Sequence, residues 1–181
     1  MRRIVLAILV TVPAVAAAAA ASEEQIRQTV DAYLGSIDTP IPDARWKALG
    51  PDAGPVLASI VTGDGLPSRR AGALHGLSIA DPARAAPLAT AYARSADQPL
   101  AIRSAAVRAV ARTLPTAEAV SVLRPLLGSP SAPLQRRTAD ALVGLGASGC
   151  AALQAHATPL TGDARAPFSH ALARCPGAET R

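Results

Sequence analysis

The chain has 181 residues and a formal charge of +5, from 18 basic and 13 acidic side chains. Half of it is hydrophobic but only 2% is aromatic, so a core must be built from aliphatic side chains and alanine. Lys47 is the sole lysine, and without aromatic residues interleaved to stack bases the arginine excess gives no ground for nucleic-acid binding.

The N-terminus reads as an export signal. Arg2-Arg3 forms a positive leader, Ile4 to Val10 an apolar centre, and an alanine tract ends in small residues at Ala20, Ala21 and Ser22. Cleavage there lowers the formal charge from +5 to +3. A retained anchor is the alternative, but Pro13 and the weakly hydrophobic alanines suit it poorly, since a span wants about 20 strongly apolar residues. No cysteine near the cleavage point supports a lipid anchor, and no other segment resembles a span. The expected destination is the periplasm or the medium. The expected divisions are a signal peptide at 1–21, a helical cap at 22–50, helical repeats at 51–177 and a disordered tail at 178–181.

In the cap, Ser22 and Gln25 fit a capping box, and Ile26, Val30, Tyr33 and Leu34 follow as a helical stripe. Asp38-Thr39-Pro40-Ile41-Pro42 breaks the chain, and Asp43 opens a brief helix holding Trp46 and Leu49. Terminal units of repeat arrays need an atypical closing surface, so Trp46 is expected as a plug over the first repeat. The rival role for Trp46 is an exposed ligand contact.

From residue 66 onward a thirteen-residue phrase recurs: LPSRRAGALHGLS from Leu66, IRSAAVRAVARTL from Ile102 and LQRRTADALVGLG from Leu134. A degraded copy, ARAPFSHALARCP, begins at Ala164. The first slot holds Leu66, Ile102 and Leu134. The eighth holds Ala73, Ala109, Ala141 and Ala171, and the ninth Leu74, Val110, Leu142 and Leu172. The first, fifth, eighth, ninth and twelfth slots lie three or four apart, which predicts one buried stripe of a helix. Alanine in the eighth suits close helix approach, and the aliphatic in the ninth fills the space beside it.

A second apolar segment precedes each phrase: Leu57, Ile60 and Val61; Leu88, Ala91 and Tyr92; Leu123, Leu126 and Leu127; Leu153, His156 and Ala157. Each unit is thus helix, short turn, helix. Asp81-Pro82 puts a capping carboxylate before a proline at the first helical position. Pro55, Pro87 and Pro125 fall in or near the leading helices and predict that these are short or bent.

The Ala-Leu and Ala-Val pairs, with an arginine near each second-helix start (Arg69 or Arg70, Arg103, Arg137, Arg165), resemble HEAT repeats in the short bacterial, phycobilisome-lyase-like form. The resemblance covers about residues 52–175. It implies an all-α fold, a right-handed α/α superhelix of about four helical hairpins behind an N-terminal helical cap. It also implies a ladder pairing those arginines with Asp64, Asp97 and Asp163 in the preceding turns. Ser129 and Ser131 stand where the third unit should carry an acid, so the ladder is expected to be incomplete. The resemblance carries no matched catalytic motif, so no lyase chemistry follows from it.

In an exported chain, Cys150 and Cys175 invite a disulfide, because the ends of an antiparallel helical pair are neighbours. Two buried free thiols are the alternative. His75, His156 and His170 sit on separate helices without metal-binding spacing, and neither a nucleophile elbow nor a phosphate-cradling glycine loop occurs. No cofactor is implied.

What remains is surface. Slots three, seven, ten and eleven of the phrases should face outward, giving Ser68, Gly72 and His75, then Ser104, Arg108, Ala111 and Arg112. Arg136, Asp140 and Val143 follow, then Ala166, His170, Ala173 and Arg174. The binding candidates are His75, Arg108, Arg112, Arg136, Asp140, His170 and Arg174, a shallow basic strip for a protein or an extended, acidic peptide. The expected function is a non-catalytic exported interaction module. A repeat-built enzyme of lyase or hydrolase type and a purely structural envelope component are the alternatives.

Overall fold

The computed structural model describes residues 14–36 and 41–176, with side chains from residue 23 on. The expected signal segment lies outside the described residues up to residue 13, as do Asp38-Thr39-Pro40 and the tail at 178–181. All regular structure among the described residues is helical, and none of it is strand.

Helix α1 spans Ala14–Gly35 and α2 spans Asp43–Leu49. Four leading helices follow: α3 (Gly54–Thr62), α5 (Pro82–Arg94), α7 (Thr116–Leu123) and α9 (Ala147–Ala157). They alternate with α4 (Pro67–Ala80), α6 (Leu100–Thr113), α8 (Ala132–Gly144) and the one-turn α10 (Ser169–Leu172). Second helices pack on one another, α4 on α6 and α6 on α8, and leading helices do likewise, α3 on α5, α5 on α7 and α7 on α9. One aliphatic core runs through the units, with Leu74, Leu77, Ile102, Val110, Leu134 and Leu142 fully buried. Two buried hydroxyls are satisfied locally, the Ser78 hydroxyl donating to the His75 carbonyl at 2.7 Å and Thr138 to the Leu134 carbonyl at 2.8 Å. By contrast, Trp46 Nε1, Gln98 Oε1 and Arg103 Nε are buried without a hydrogen-bond partner among the described residues.

Several local features follow the sequence reading. The Asp81 carboxylate accepts from the Arg84 backbone N–H at 3.1 Å, and Pro82 opens α5. Cys150 and Cys175 are joined, with Cα atoms 5.5 Å apart. Trp46 is 2% exposed, in edge-to-face contact with Tyr33 at 5.1 Å. Gly76 lets the indole lie on α4, because a Cβ there would fall 2.6 Å from the ring. Trp46 is therefore core, not an exposed ligand contact.

Others differ. Helix α1 starts at Ala14, so Ser22 is inside it rather than at its cap; alanine is the best helix former, and the tract before Ser22 carries the helix backwards. Leu66 is 72% exposed, because it precedes α4 at the N-cap whereas Ile102 and Leu134 lie within α6 and α8. Only the helix start differs, since the eighth and ninth slots keep their register, with Ala73 and Leu74 buried like Ala109 and Val110. Helix α5 keeps 13 residues despite Pro87. Ala83 and Pro87 lie on its exposed side, where water can take the missing bond. The last phrase is broken into short 3-10 turns at Gly162–Ala164 and Ala166–Phe168 before α10. Pro167 cannot donate in a continuing helix.

The implied acid–arginine ladder is also replaced. Arg70 Nε donates to the Val61 carbonyl at 2.9 Å, Gln135 Nε2 to Ser129 at 2.8 Å and Arg165 Nη1 to Ala157 at 2.9 Å. These carbonyls lie at the ends of leading segments, where helices leave acceptors unsatisfied. In the third unit the Ser131 hydroxyl instead caps α8, accepting from the Leu134 N–H at 3.4 Å. Asp64, Asp97 and Asp163 enter none of the ion pairs among the described residues.

Candidate functional site

The strip is built from helix periodicity. On α6, Arg108, Ala111 and Arg112 fall three and four apart and so share a face. On α8, Arg137, Asp140, Ala141 and Gly144 do the same. Because α6 packs on α8, the two sets meet and line a shallow depression of about 370 Å³. Its alanines and glycine keep the floor low, while guanidiniums stand around it.

The ion pairs fix part of this set and leave part open. Arg112 Nη1 donates to Asp43 Oδ2 of α2 at 2.8 Å. The other oxygen of that carboxylate, Oδ1, lies 3.5 Å from His75 Nε2 on α4. Arg174 Nη1 donates to Asp140 Oδ1 at 3.1 Å. Among the described residues, Arg108 and Arg137 have no hydrogen-bond or ion-pair partner. Desolvation first, and then the neighbouring Arg137 and Arg112, push the Arg108 guanidinium below its ordinary range. Burial likewise holds the His75 imidazole below its ordinary 6.5; Asp43 opposes this, and Arg112 and Arg108 reinforce it. His75 is therefore neutral at pH 7, and its approach to Asp43 is not an ion pair there.

The expected strip is thus assembled in part. Arg108, Arg112 and Asp140 line the depression, and Arg174 joins it through Asp140. His75 sits at the junction with the cap, sharing Asp43 with Arg112. Arg136 is exposed but is not among the lining residues, and Arg137 takes its place. His170 is exposed and shares no ion pair among the described residues. Asp43, which the strip also needs, is visible in the sequence only as a helix start. Gly72, expected to face outward, lies beneath Leu34 of the cap, whose Cδ2 would be 2.9 Å from an added Cβ.

A second groove, of about 620 Å³, lies between α1, α2 and α4. Tyr33, Leu34, Trp46 and the exposed Leu66 give it an apolar wall. Its one arginine, Arg69, is already ion-paired with Asp31. A third groove, between α5 and α7, sets one arginine, Arg94, against one acid, Glu118, so the unbalanced positive charge lies in the α6–α8 depression.

Among the described residues no cluster of three or more His, Cys, Asp or Glu could hold a metal, and no helix is long and apolar enough to cross a membrane. No protein-family model matches the chain, and no curated protein or solved structure matches it.

Proposed function

We propose that this chain is a non-catalytic, exported interaction module, a HEAT-like right-handed solenoid that binds an acidic or extended polypeptide along its second helices. The observation that carries the reading is the pair of unpartnered guanidiniums, Arg108 and Arg137, facing one depression from neighbouring helices. Four arginines gather there (Arg108, Arg112, Arg137 and Arg174) against two carboxylates, Asp43 and Asp140. A patch with such an excess steers and orients an acidic partner. Like-with-like packing of leading and second helices supports the solenoid. Export is supported by the Arg2-Arg3 leader with its apolar and alanine-rich sequel, and by the Cys150–Cys175 bond.

The test is crosslinking capture by the oxidised protein from periplasmic and extracellular fractions of its source. A captured protein should bind less tightly as salt rises, because exposed charges are screened at physiological ionic strength. It should also be lost from the Arg108→Glu, Arg137→Glu double variant while helicity is kept. Salt-independent capture, or turnover of a substrate by the purified chain, would sink the reading.

A further inference from the structure

Resting on that reading, we infer that the α6–α8 depression is a socket for two carboxylates of one extended acidic segment, one on Arg108 and one on Arg137. Each guanidinium presents a planar fork that matches a carboxylate bidentately. The two forks stand on different helices, so they suit two acids along a chain better than one compact ion. Arg112 and Arg174 border the socket but are already engaged by Asp43 and Asp140. They supply positive field, not free donors.

Asp140 favours a peptide through what it can accept. Its carboxylate, with Oδ1 already taken by Arg174, lines the same depression and repels a phosphate and a glutamate side chain alike. For a polypeptide it is useful, because a carboxylate accepts from a passing backbone N–H. The floor formed by Ala111, Ala141 and Gly144 leaves room for that backbone to approach. Burial first, and then Arg137 and Arg112, disfavour the charged form of Arg108 in the free protein; a carboxylate bound between the guanidiniums offsets the repulsive part.

The probe is a fluorescein-labelled hexaglutamate peptide followed by anisotropy at low salt, with inorganic phosphate as competitor. Arg108→Gln and Arg137→Gln should each weaken peptide binding about tenfold, the loss of one charge-assisted pair. Arg94→Gln and Arg124→Gln, exposed arginines elsewhere on the molecule, should not change it, nor should phosphate at matched charge displace the peptide. Circular dichroism checks that each variant is folded. Failure of the wild type to bind, or equal loss in the control variants, overturns the socket. Phosphate binding tighter than the peptide, lost in the same variants, overturns the acidic-segment assignment. A captured native partner that still binds both Gln variants but is lost from the Arg108→Glu, Arg137→Glu double variant refutes the socket alone. A socket that behaves as expected, with no exported partner found, refutes the broader functional reading alone.

Discussion

Asp43 and Arg112 are 69 residues apart in sequence, yet their side chains meet at 2.8 Å. The contact ties α2 to the face of α6, and the same carboxylate reaches His75 of α4. One acid thus connects the cap to the second helices of two successive units. It also holds Arg112 at the rim of the basic depression, so stability of the cap and electrostatics of the site share a residue.

Asp43→Asn should loosen that connection without unfolding the chain. Both partners are roughly half exposed, so the expected loss is about 1 kcal/mol or less. Hydrogen exchange should rise in α2 and stay unchanged in α8 and α9. Uniform acceleration across the chain would mean that the contact has no local role.

His75 gives the protein a pH dependence of known sign. Its folded-state range lies below the ordinary 6.5, mainly because burial disfavours the charged ring. The unfolded chain therefore binds a proton first as pH falls. The neutral imidazole's contribution is complete above 6.5 and is lost progressively below it, through the folded-state value. His75→Gln should flatten the stability profile in that window. Asp43→Asn, which removes the one influence raising the His75 range, should extend the sloping region to lower pH. Denaturant titrations at a series of pH values measure both.

Gly76 and Gly72 make a controlled pair. A Cβ at Gly76 meets the Trp46 ring at 2.6 Å, whereas one at Gly72 meets only the end of the Leu34 side chain. Gly76→Ala gains about 1 kcal/mol of helix propensity, but overpacking against a rigid ring costs about 1–3 kcal/mol. The net effect should be destabilising. Since the chain holds a single tryptophan, displacement should shift its emission to the red. Gly72→Ala should be neutral or stabilising, because Leu34 can rotate away. A blue, unshifted spectrum in Gly76→Ala would show that the cap adjusts freely.

Leu142, in the ninth slot, is fully buried. Leu142→Ala should cost about 2–5 kcal/mol through the cavity it leaves. Leu142→Asp adds an unpaired buried charge and should abolish the cooperative thermal transition seen by far-ultraviolet circular dichroism. A folded Leu142→Asp variant would mean that α8 packs more loosely than its burial implies.

Periodicity made α4, α6 and α8 legible, because three- and four-residue spacing within a phrase, as of Ile102, Ala106, Ala109 and Val110 in α6, encodes a helix face directly. The plug role of Trp46 and the cysteine pairing were legible for a similar reason, since both follow from chain order and residue type. Arg137 was not separable from Arg136. Both are polar positions on one helix, and only the packing of α6 on α8 decides which side faces the depression. Asp43 was hidden because its partners come from distant segments. Leu66 misled because matching the phrases by letters placed it in a buried slot, while Pro67 starts the helix behind it. The last phrase kept its Ala171-Leu172 pair but lost its helix at Pro167.

The Cys150–Cys175 bond should matter most to the last unit. Beyond α9 the described residues form two 3-10 turns and a one-turn helix, too little regular structure to persist by itself. Phe168 and Ala171 are buried there, and the bond spans 25 residues that hold them in place. Closing a loop of that size restricts the unfolded chain and is worth ~3 kcal/mol. Cys150→Ala, Cys175→Ala should therefore lower stability by about that amount. Because the loss acts locally, hydrogen exchange should rise first across residues 162–175, before α4 and α6 open. The native protein should show no free thiol by mass spectrometry without reductant. Two free thiols, or a double variant with unchanged exchange in that segment, would assign the terminal unit's stability to packing of Phe168 and Ala171 against α8 and α9 alone.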